Sequence, residues 1–588
     1  MNKTMADVLY NTNPNISQRE LSKKTGYSLG LINKSLQALY SENYIDSNNQ
    51  YTENTQTLLS KCRPQKAVIL AAGFGMRMVP INTETSKALL QVHGETLIER
   101  QIRQLQDVGI TDIYIVVGFM KEQFEYLIDD FGVKLVVNSE YKGKNNLYSL
   151  GKAIEHIGNL NNTYIIPCDI WCRTNPFSNI ELYSWYMLGN EIIDDAMVRI
   201  NKKLEIVINR PRKKGNAMIG ISYIDHEDSA WLIEKAKTLC SNQVENAGEF
   251  WEKALISGGK MKVYPKEVSD KDFIEINTYE QLRHFDRDSN SLSTDTIDTI
   301  KEVFSVDADE IVNISILKKG MTNRSFLFEV HGEKYIMRIP GEGTGRLINR
   351  KNEASVYNEI DKYRICDDLY YINPDNGYKI TKYINNARTC NPNDADDLRK
   401  CMSVLRNFHQ LKLKVSHTFD IWGQIDYYES LWNGQKSAYR DYEATKANVL
   451  KLCKYVEKQP IEYSLTHIDA VPDNFLFENS DGREQVRLID WEYAGMQDPH
   501  VDIAMFAIYS FYDQKQLDDL IDLYFENKCK KSVRIKIYCY VAMCGLLWSN
   551  WCEYKRQLGV DFGEYSIRQY RYAKDYYRIV NEEGYLNE

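Results

Sequence analysis

The stretch THIDAVPDNFLFENSDGREQVRLIDWEYAG, Thr466 to Gly495, decides how this 588-residue chain is read. His467, Asp469 and Asn474 stand in the spacing HxDxxxxN, and Asp490 follows sixteen residues after the asparagine. An aspartate so placed can accept the proton of an attacking hydroxyl, while the asparagine and the later aspartate can hold magnesium. The apolar runs EYSLT and VRLID read as strands that deliver these two polar elements.

Outward from that stretch, SFLFEV and KYIMRIP read as strands of a preceding lobe, and a mostly helical region runs to the end. LKKGMTNRSFLFEV carries Gly320, Thr322 and Asn323, YIMRIP carries Arg338, and NRKNEASVYNEI carries Glu353. In LLWSNWCEYKRQLG, Trp548 and Trp551 are three apart and project from one helical face. IDWE instead of DFG, together with DPHVDIAMF, resembles the choline kinase and aminoglycoside phosphotransferase superfamily. The resemblance implies a bilobal, protein-kinase-like fold over 287–588, with ATP and Mg2+. Asp469 is then the catalytic base, and Asn474 and Asp490 are metal ligands. Gly320, Thr322 and Asn323 form the phosphate-covering turn. Arg338 replaces the usual strand lysine, with Glu353 as its helix partner. The paired indoles match the aromatic wall that receives a trimethylammonium group, with Tyr512, Trp491 and Tyr509 as further candidates. Each ring face attracts such a cation by about 0.5 to 2 kcal/mol, and hydrogen bonding cannot replace that attraction.

Further upstream, KAVILAAGFGMRM is a buried strand running into Ala71, Ala72, Gly73 and Gly75. Small residues there let backbone amides approach a base and its phosphates, and Arg77 adds fixed charge. KAVILAAG, DIYIVVG and KLVVNS are short apolar strands, and the helix TLIERQIRQLQDVG, ending at Gly109, separates the first two. Strand, helix, strand implies parallel pairing. With Lys87 close behind, the segment Lys66 to Phe285 resembles nucleotidyltransferases that join a nucleoside triphosphate to a phosphorylated small molecule. Ser86 stands where that family usually has Pro. The resemblance implies a Rossmann-like mixed sheet with helices on both faces over 63–286. It makes Asp169 of IIPCDIW a metal ligand, and Arg77 and Lys87 the charges that stabilise the transferring phosphate. In DFIEINTYEQL, Asn277 occupies the position where many relatives have Asp, with Glu275 as the alternative ligand. KNNLYSLGKA, with Asn145, Asn146 and Ser149, is similar to the active-site segment of LicC-type phosphocholine cytidylyltransferases, which implies CTP. Magnesium suits this chemistry because acceptor phosphate and triphosphate repel one another.

Residues 1–62 read as a helical unit with a hairpin. Ser17 and Glu20 form a capping box, Gly26 ends a helix, and Ser28 caps a second in which Leu29, Ile32, Leu36 and Leu39 recur. ENYIDSNNQYT alternates like a short wing, so the segment resembles a winged helix-turn-helix. Six Lys or Arg stand against five Asp or Glu here, which leaves DNA binding and a packing or dimerisation role both open. The whole chain, at -9, is repulsive to polyanions in general. DRDSNSLSTDTIDT, from Asp286, is the linker candidate, and Cys168 and Cys172 have no matching second pair for a metal. MNKTMADVLYNTN contains no apolar signal stretch and no run approaches bilayer length, so a cytoplasmic protein without membrane insertion is expected.

Together these readings give an α/β and α+β multidomain enzyme that phosphorylates choline with ATP and converts phosphocholine and CTP to CDP-choline. The alternatives are the same folds acting on ethanolamine, a phosphonate or a sugar phosphate, or a DNA-binding, choline-responsive regulator. Oligomeric state is not encoded in any of these motifs.

Overall fold

Three short helices open the chain because caps and apolar spacing agree. They are α1 (Lys3–Asn11), α2 (Gln18–Thr25) and α3 (Leu29–Ser41). Ser17 and Glu20 make the reciprocal capping box, and Gly26 ends α2 in the left-handed region at φ 73°. Met5, Leu9, Leu21, Ile32, Leu36 and Leu39 close a small core, and an antiparallel bridge between Ile45 and Tyr51 forms the wing. Leu29 departs from the expected face. At the first position of α3 it is 47% exposed. The carboxylate of Asp7 in α1 accepts from the hydroxyls of Tyr27 and Tyr183, at 2.5 and 2.6 Å, which ties this unit to the chain that follows.

The structure is a computed structural model that describes residues 2–317, 323–341, 347–480, 483–557 and 562–582, and it forms two units, Met1–Thr299 and Ile300–Glu588. In the first, β1 (Lys66–Ala71) lies between β2 (Asp112–Val117) and β4 (Thr163–Pro167), parallel to both, with β3 (Lys134–Val137) parallel to β2. The long strands β5 (Trp185–Ile200) and β6 (Ile206–Ile224) pair antiparallel, and β6 also pairs antiparallel with β4, so the nine-stranded sheet is mixed. Both faces are covered because β1 is apolar from Ala67 to Ala71. Ala67, Ile69 and Ala71 pack on one side with Ile98, Ile102 and Leu105 of α4 (Leu97–Asp107), and Val68 and Leu70 pack on the other with Leu147, Leu150 and Ile154 of α5 (Asn146–Ile157).

The polar stretch from Asp286 is bound rather than free. Asp286 Oδ2 accepts from His93 N at 2.6 Å, Ser291 Oγ from Gln91 N at 3.0 Å, and Ser289 Oγ donates to Gln91 O at 2.6 Å. Composition marks a linker, but hydroxyls and carboxylates can equally satisfy an exposed strand edge.

The second unit begins with a five-stranded antiparallel sheet containing β7 (Asn323–Val330), β8 (Glu333–Pro340) and β9 (Lys379–Lys382). The helix α6 (Arg350–Ile360) lies between β8 and β9 in the chain. The helical region includes α7 (Val501–Tyr509), α8 (Lys531–Gln557) and α9 (Glu564–Glu582). Residues Ile535 to Lys555 of α8 are buried, so apolar side chains recur on all its faces, while buried polar ones such as Lys536 and Asn550 are paired with Asp498 and Tyr442. No helix among the described residues is long and apolar enough to cross a membrane.

Candidate active sites

In the second unit the strand Ser464–Thr466 delivers the loop that begins at His467. The Asp502 carboxylate in α7 accepts from His467 N at 3.0 Å and Ile468 N at 2.7 Å. Those bonds hold Ile468 at φ 70°, a value a β-branched residue avoids, at a cost of about 1–3 kcal/mol. Asn474 Nδ2 donates to Asp469 O at 2.8 Å and to Asp469 Oδ2 at 3.1 Å, and Ile489 N donates to Asn474 O at 2.9 Å. The two polar loops are therefore laced together, and Asp490, at φ 67°, turns its carboxyl toward Asp469 in one cavity. Burial, then the neighbouring Asp490 and Glu492, push the Asp469 carboxyl well above the usual range. Burial raises Asp490 as well, against the pull of Lys379 and Arg338. Like charges crowded together in a buried site favour the neutral form, and a nearby cation favours the ionised one.

Arg338 on β8 makes a two-point pair with Glu353 of α6, the second bond at 2.7 Å. Burial opposes ionisation of Glu353, but Arg338, Lys379 and Arg350 hold its carboxyl down to about 2. Asn323 donates to Glu492 Oε2 at 2.8 Å, and Arg350 lies between the two glutamates at 3.0 and 3.3 Å. Gly320 and Thr322 lie outside the described residues.

The cavity, of about 520 Å³, is lined by Asn323, Arg338, Asp469, Asn474 and Asp490 and by aromatic rings. Trp548 and Trp551 meet edge to face at 5.6 Å, and Tyr493 meets Trp548 the same way at 5.5 Å. Tyr509 and Tyr565, 6.1 Å apart, complete the lining, and Tyr509 donates to Asp473 Oδ2 at 2.7 Å. The Lys555 ammonium stands 5.4 Å from the centroid of Trp551, so this ring already attracts a cation. Two of the expected aromatic residues are elsewhere. Trp491 is fully buried, donates to Leu488 O and packs on His467 and Phe408, so it supports the loop from behind. Tyr512 donates to Pro392 O and packs in the core. Tyr493 and Tyr565 take up the lining instead. Tyr493 lies two residues beyond Trp491, while nothing local marks Tyr565.

In the first unit a cavity of about 190 Å³ opens at the end of β1, lined by Ala72, Gly73, Gly75, Lys87, Asn145, Asn146, Ser149 and Asp169. Ala71 packs in the core just behind it. Gly75 has φ 57°, and a Cβ there would stand 3.2 Å from Lys87 Cβ, so both the turn and the lysine's approach require glycine. Lys87 pairs with Asp169 and donates to Asn277 Oδ1 at 2.8 Å. Arg77, exposed, donates to the same oxygen at 3.0 Å. Asn277 arrives there because Ile276 N donates to Asp169 O at 3.1 Å. Glu275 pairs through its backbone with Ile170, and its side chain is exposed.

Asn145 and Asn146 line the cavity with their amides largely engaged. Asn145 Nδ2 donates to Gly248 O at 3.1 Å, and Asn146 Oδ1 accepts from Trp251 N at 2.8 Å. They thereby hold the segment 247–252 beside the cleft. Ser149 Oγ accepts from Asn138 Nδ2 at 3.1 Å. That segment brings in Glu252, which no motif announced. Its carboxylate accepts from Tyr186 Oη at 3.1 Å, and burial pushes it up to about 7.

Comparison with known proteins agrees with this division of the chain. Three family models match: winged helix-turn-helix DNA-binding over 8–46, MobA-like NTP transferase domain over 67–177, and choline/ethanolamine kinase over 314–522. Choline-phosphate cytidylyltransferase of Streptococcus pneumoniae is 34% identical over 239 residues, which are 37% of this chain and 95% of that protein. Protein LicA of Haemophilus influenzae is 27% identical over 264 residues, 42% of this chain and 76% of that one. The crystal structure of choline kinase LicA from Streptococcus pneumoniae has 28% identity and a TM-score of 0.43, covering 48% of this chain and 98% of its own. The chain belongs to the choline-phosphate cytidylyltransferase family through its central part, which is preceded by a winged helix-turn-helix and followed by a choline/ethanolamine kinase domain.

Proposed function

We propose that the chain performs two consecutive reactions, phosphorylation of choline by ATP and transfer of a cytidylyl group from CTP to phosphocholine, giving CDP-choline and pyrophosphate. The observation that carries this reading is the single cavity in which Asp469 and Asp490 face Trp548, Trp551 and Tyr493. A quaternary ammonium offers no N–H, so rings must hold it while its hydroxyl points toward a base. Asp469 accepts the hydroxyl proton as the oxygen attacks the γ-phosphorus of ATP, and ADP leaves. Asn474 and Asp490 would supply the oxygen donors that magnesium prefers, and a bound metal would supply charge to neutralise the phosphates.

In the cytidylyltransferase site a phosphate oxygen of phosphocholine attacks the α-phosphorus of CTP and pyrophosphate departs. No side-chain nucleophile is needed. Lys87 and Arg77 supply positive charge around Asn277. Asp169 is the carboxylate for magnesium, and Asn277 can add an amide oxygen to it.

Replacing Trp548 or Trp551 by alanine should raise KM for choline about tenfold each, the equivalent of roughly 1.4 kcal/mol of ring–cation attraction, with KM for ATP unchanged. Steady-state kinetics with choline and ethanolamine check this. Choline affinity that survives both substitutions would remove the aromatic wall from the account.

For the winged helix we propose a duplex DNA partner, read by the face of α3 that exposes Asn33, Lys34 and Gln37. Fluorescence anisotropy with genomic duplex fragments should show binding that weakens steeply with salt, and Lys34→Ala should flatten the slope by about 0.9. No binding at low salt would leave the unit a packing role.

A further inference from the structure

Kinases of this shape usually carry a phosphate-binding lysine at the strand position that Arg338 occupies here. The geometry shows how little Arg338 has left for a nucleotide. Both of its terminal nitrogens are directed at Glu353, one of them also donates to Gly377 O at 3.3 Å, and Nε is buried with no hydrogen bond among the described residues. A planar guanidinium spent on a bidentate carboxylate pair is a structural strut.

Directly across the sheet from Arg338, in register on β9, is Lys379. It is 5% exposed and lines the same cavity as Asp469, Asn474 and Asp490. Its ammonium donates to Tyr357 Oη at 2.6 Å and stands 3.7 Å from Glu353 Oε1. Burying an ammonium costs several kcal/mol unless opposite charge compensates it. Glu353 is a poor reason for that cost, because Arg338 and Arg350 already bond both of its oxygens. An ammonium has three donors, and one hydrogen bond from this one is found among the described residues. The cavity that Lys379 lines is shared with Asp469, Asn474 and Asp490.

We infer that Lys379 contacts the phosphates of the nucleotide, so that the lysine absent at Arg338 is supplied from the neighbouring strand. Arg338 keeps Glu353 and α6 in place, and Lys379 provides the compact point charge that phosphate oxygens accept. This rests on the kinase reading of the cavity, yet it requires no particular alcohol.

The test uses the full chain and isothermal titration with ATP and, separately, adenosine, in magnesium and without choline. Lys379→Gln keeps a donor for Tyr357 and removes the charge. It should weaken ATP at least tenfold while adenosine changes less than twofold, and Lys379→Arg should recover most of the loss. Lys379→Met serves as the second neutral variant if the glutamine variant unfolds. ATP affinity that is unchanged, or that falls in proportion with adenosine, would overturn the proposal and leave Lys379 a partner of Glu353. A wild-type chain that binds no ATP would instead sink the kinase reading itself.

Discussion

Asp469→Ala is expected to abolish choline phosphorylation, lowering kcat by about 10³-fold, while cytidylyl transfer to supplied phosphocholine continues at the wild-type rate. The size follows from position. Asp469 is the carboxyl held by Asn474 in the cavity that Trp548 and Trp551 also line, and the residues lining that cavity offer no other carboxylate bonded to Asn474. Its environment suits a base that works only when the site is loaded. Burial and the neighbouring Asp490 and Glu492 raise its affinity for a proton, and cationic charge brought in with the nucleotide favours its ionised form. Asp469→Asn separates chemistry from packing, since it keeps the shape and a bond to Asn474. Both variants should retain ATP and choline binding. Mass spectrometry of the two products, with each intermediate supplied in turn, reads the outcome.

Asp169→Ala is expected to do the reverse, lowering cytidylyl transfer by about 10³-fold and leaving choline phosphorylation intact. Two effects act together. The carboxylate that would hold the metal is lost, and Lys87, now paired only through Asn277, is free to shift from the position that Gly75 makes room for. Lys87→Ala should reproduce most of the loss, because the ion pair and the bond to Asn277 go together. Loss of both activities in either aspartate variant would contradict independent sites.

Much of this arrangement was legible from local pattern. An unbroken apolar strand running into Ala72, Gly73 and Gly75 can only be central, and its position fixes the cleft. The spacing from His467 to Asn474 and on to Asp490 describes two loops that one helix carboxylate, Asp502, and one backbone bond then join. Indoles three apart on a helix face one way whatever surrounds them, and Trp548 and Trp551 meet at 5.6 Å.

What stayed hidden depends on contacts across the chain. Trp491 and Tyr493 are two apart in a turn, so spacing alone does not say which ring faces the cavity. The structure gives Trp491 to His467 and Tyr493 to Trp548. Glu252 and Tyr565 belong to segments with no motif of their own, and Lys379 matters through a cross-strand neighbour. Asn145 and Asn146 line the cavity, but what they hold, the segment 247–252, lies about a hundred residues on and leaves no periodic trace. The polar stretch from Asp286 reads as a linker and runs to the boundary between the two units, and what composition does not show is that the Asp286 carboxylate and the Ser289 and Ser291 hydroxyls bond the edge at His93 and Gln91.

One reaction tests the central claim most directly: the full chain incubated with choline, ATP, CTP and magnesium, with products followed by mass over time. The account predicts that phosphocholine appears first and CDP-choline follows, that omitting CTP stops the sequence at phosphocholine, and that chelating the metal stops both. Phosphocholine that forms but never becomes CDP-choline, or choline that remains unmodified in the complete mixture, would contradict it.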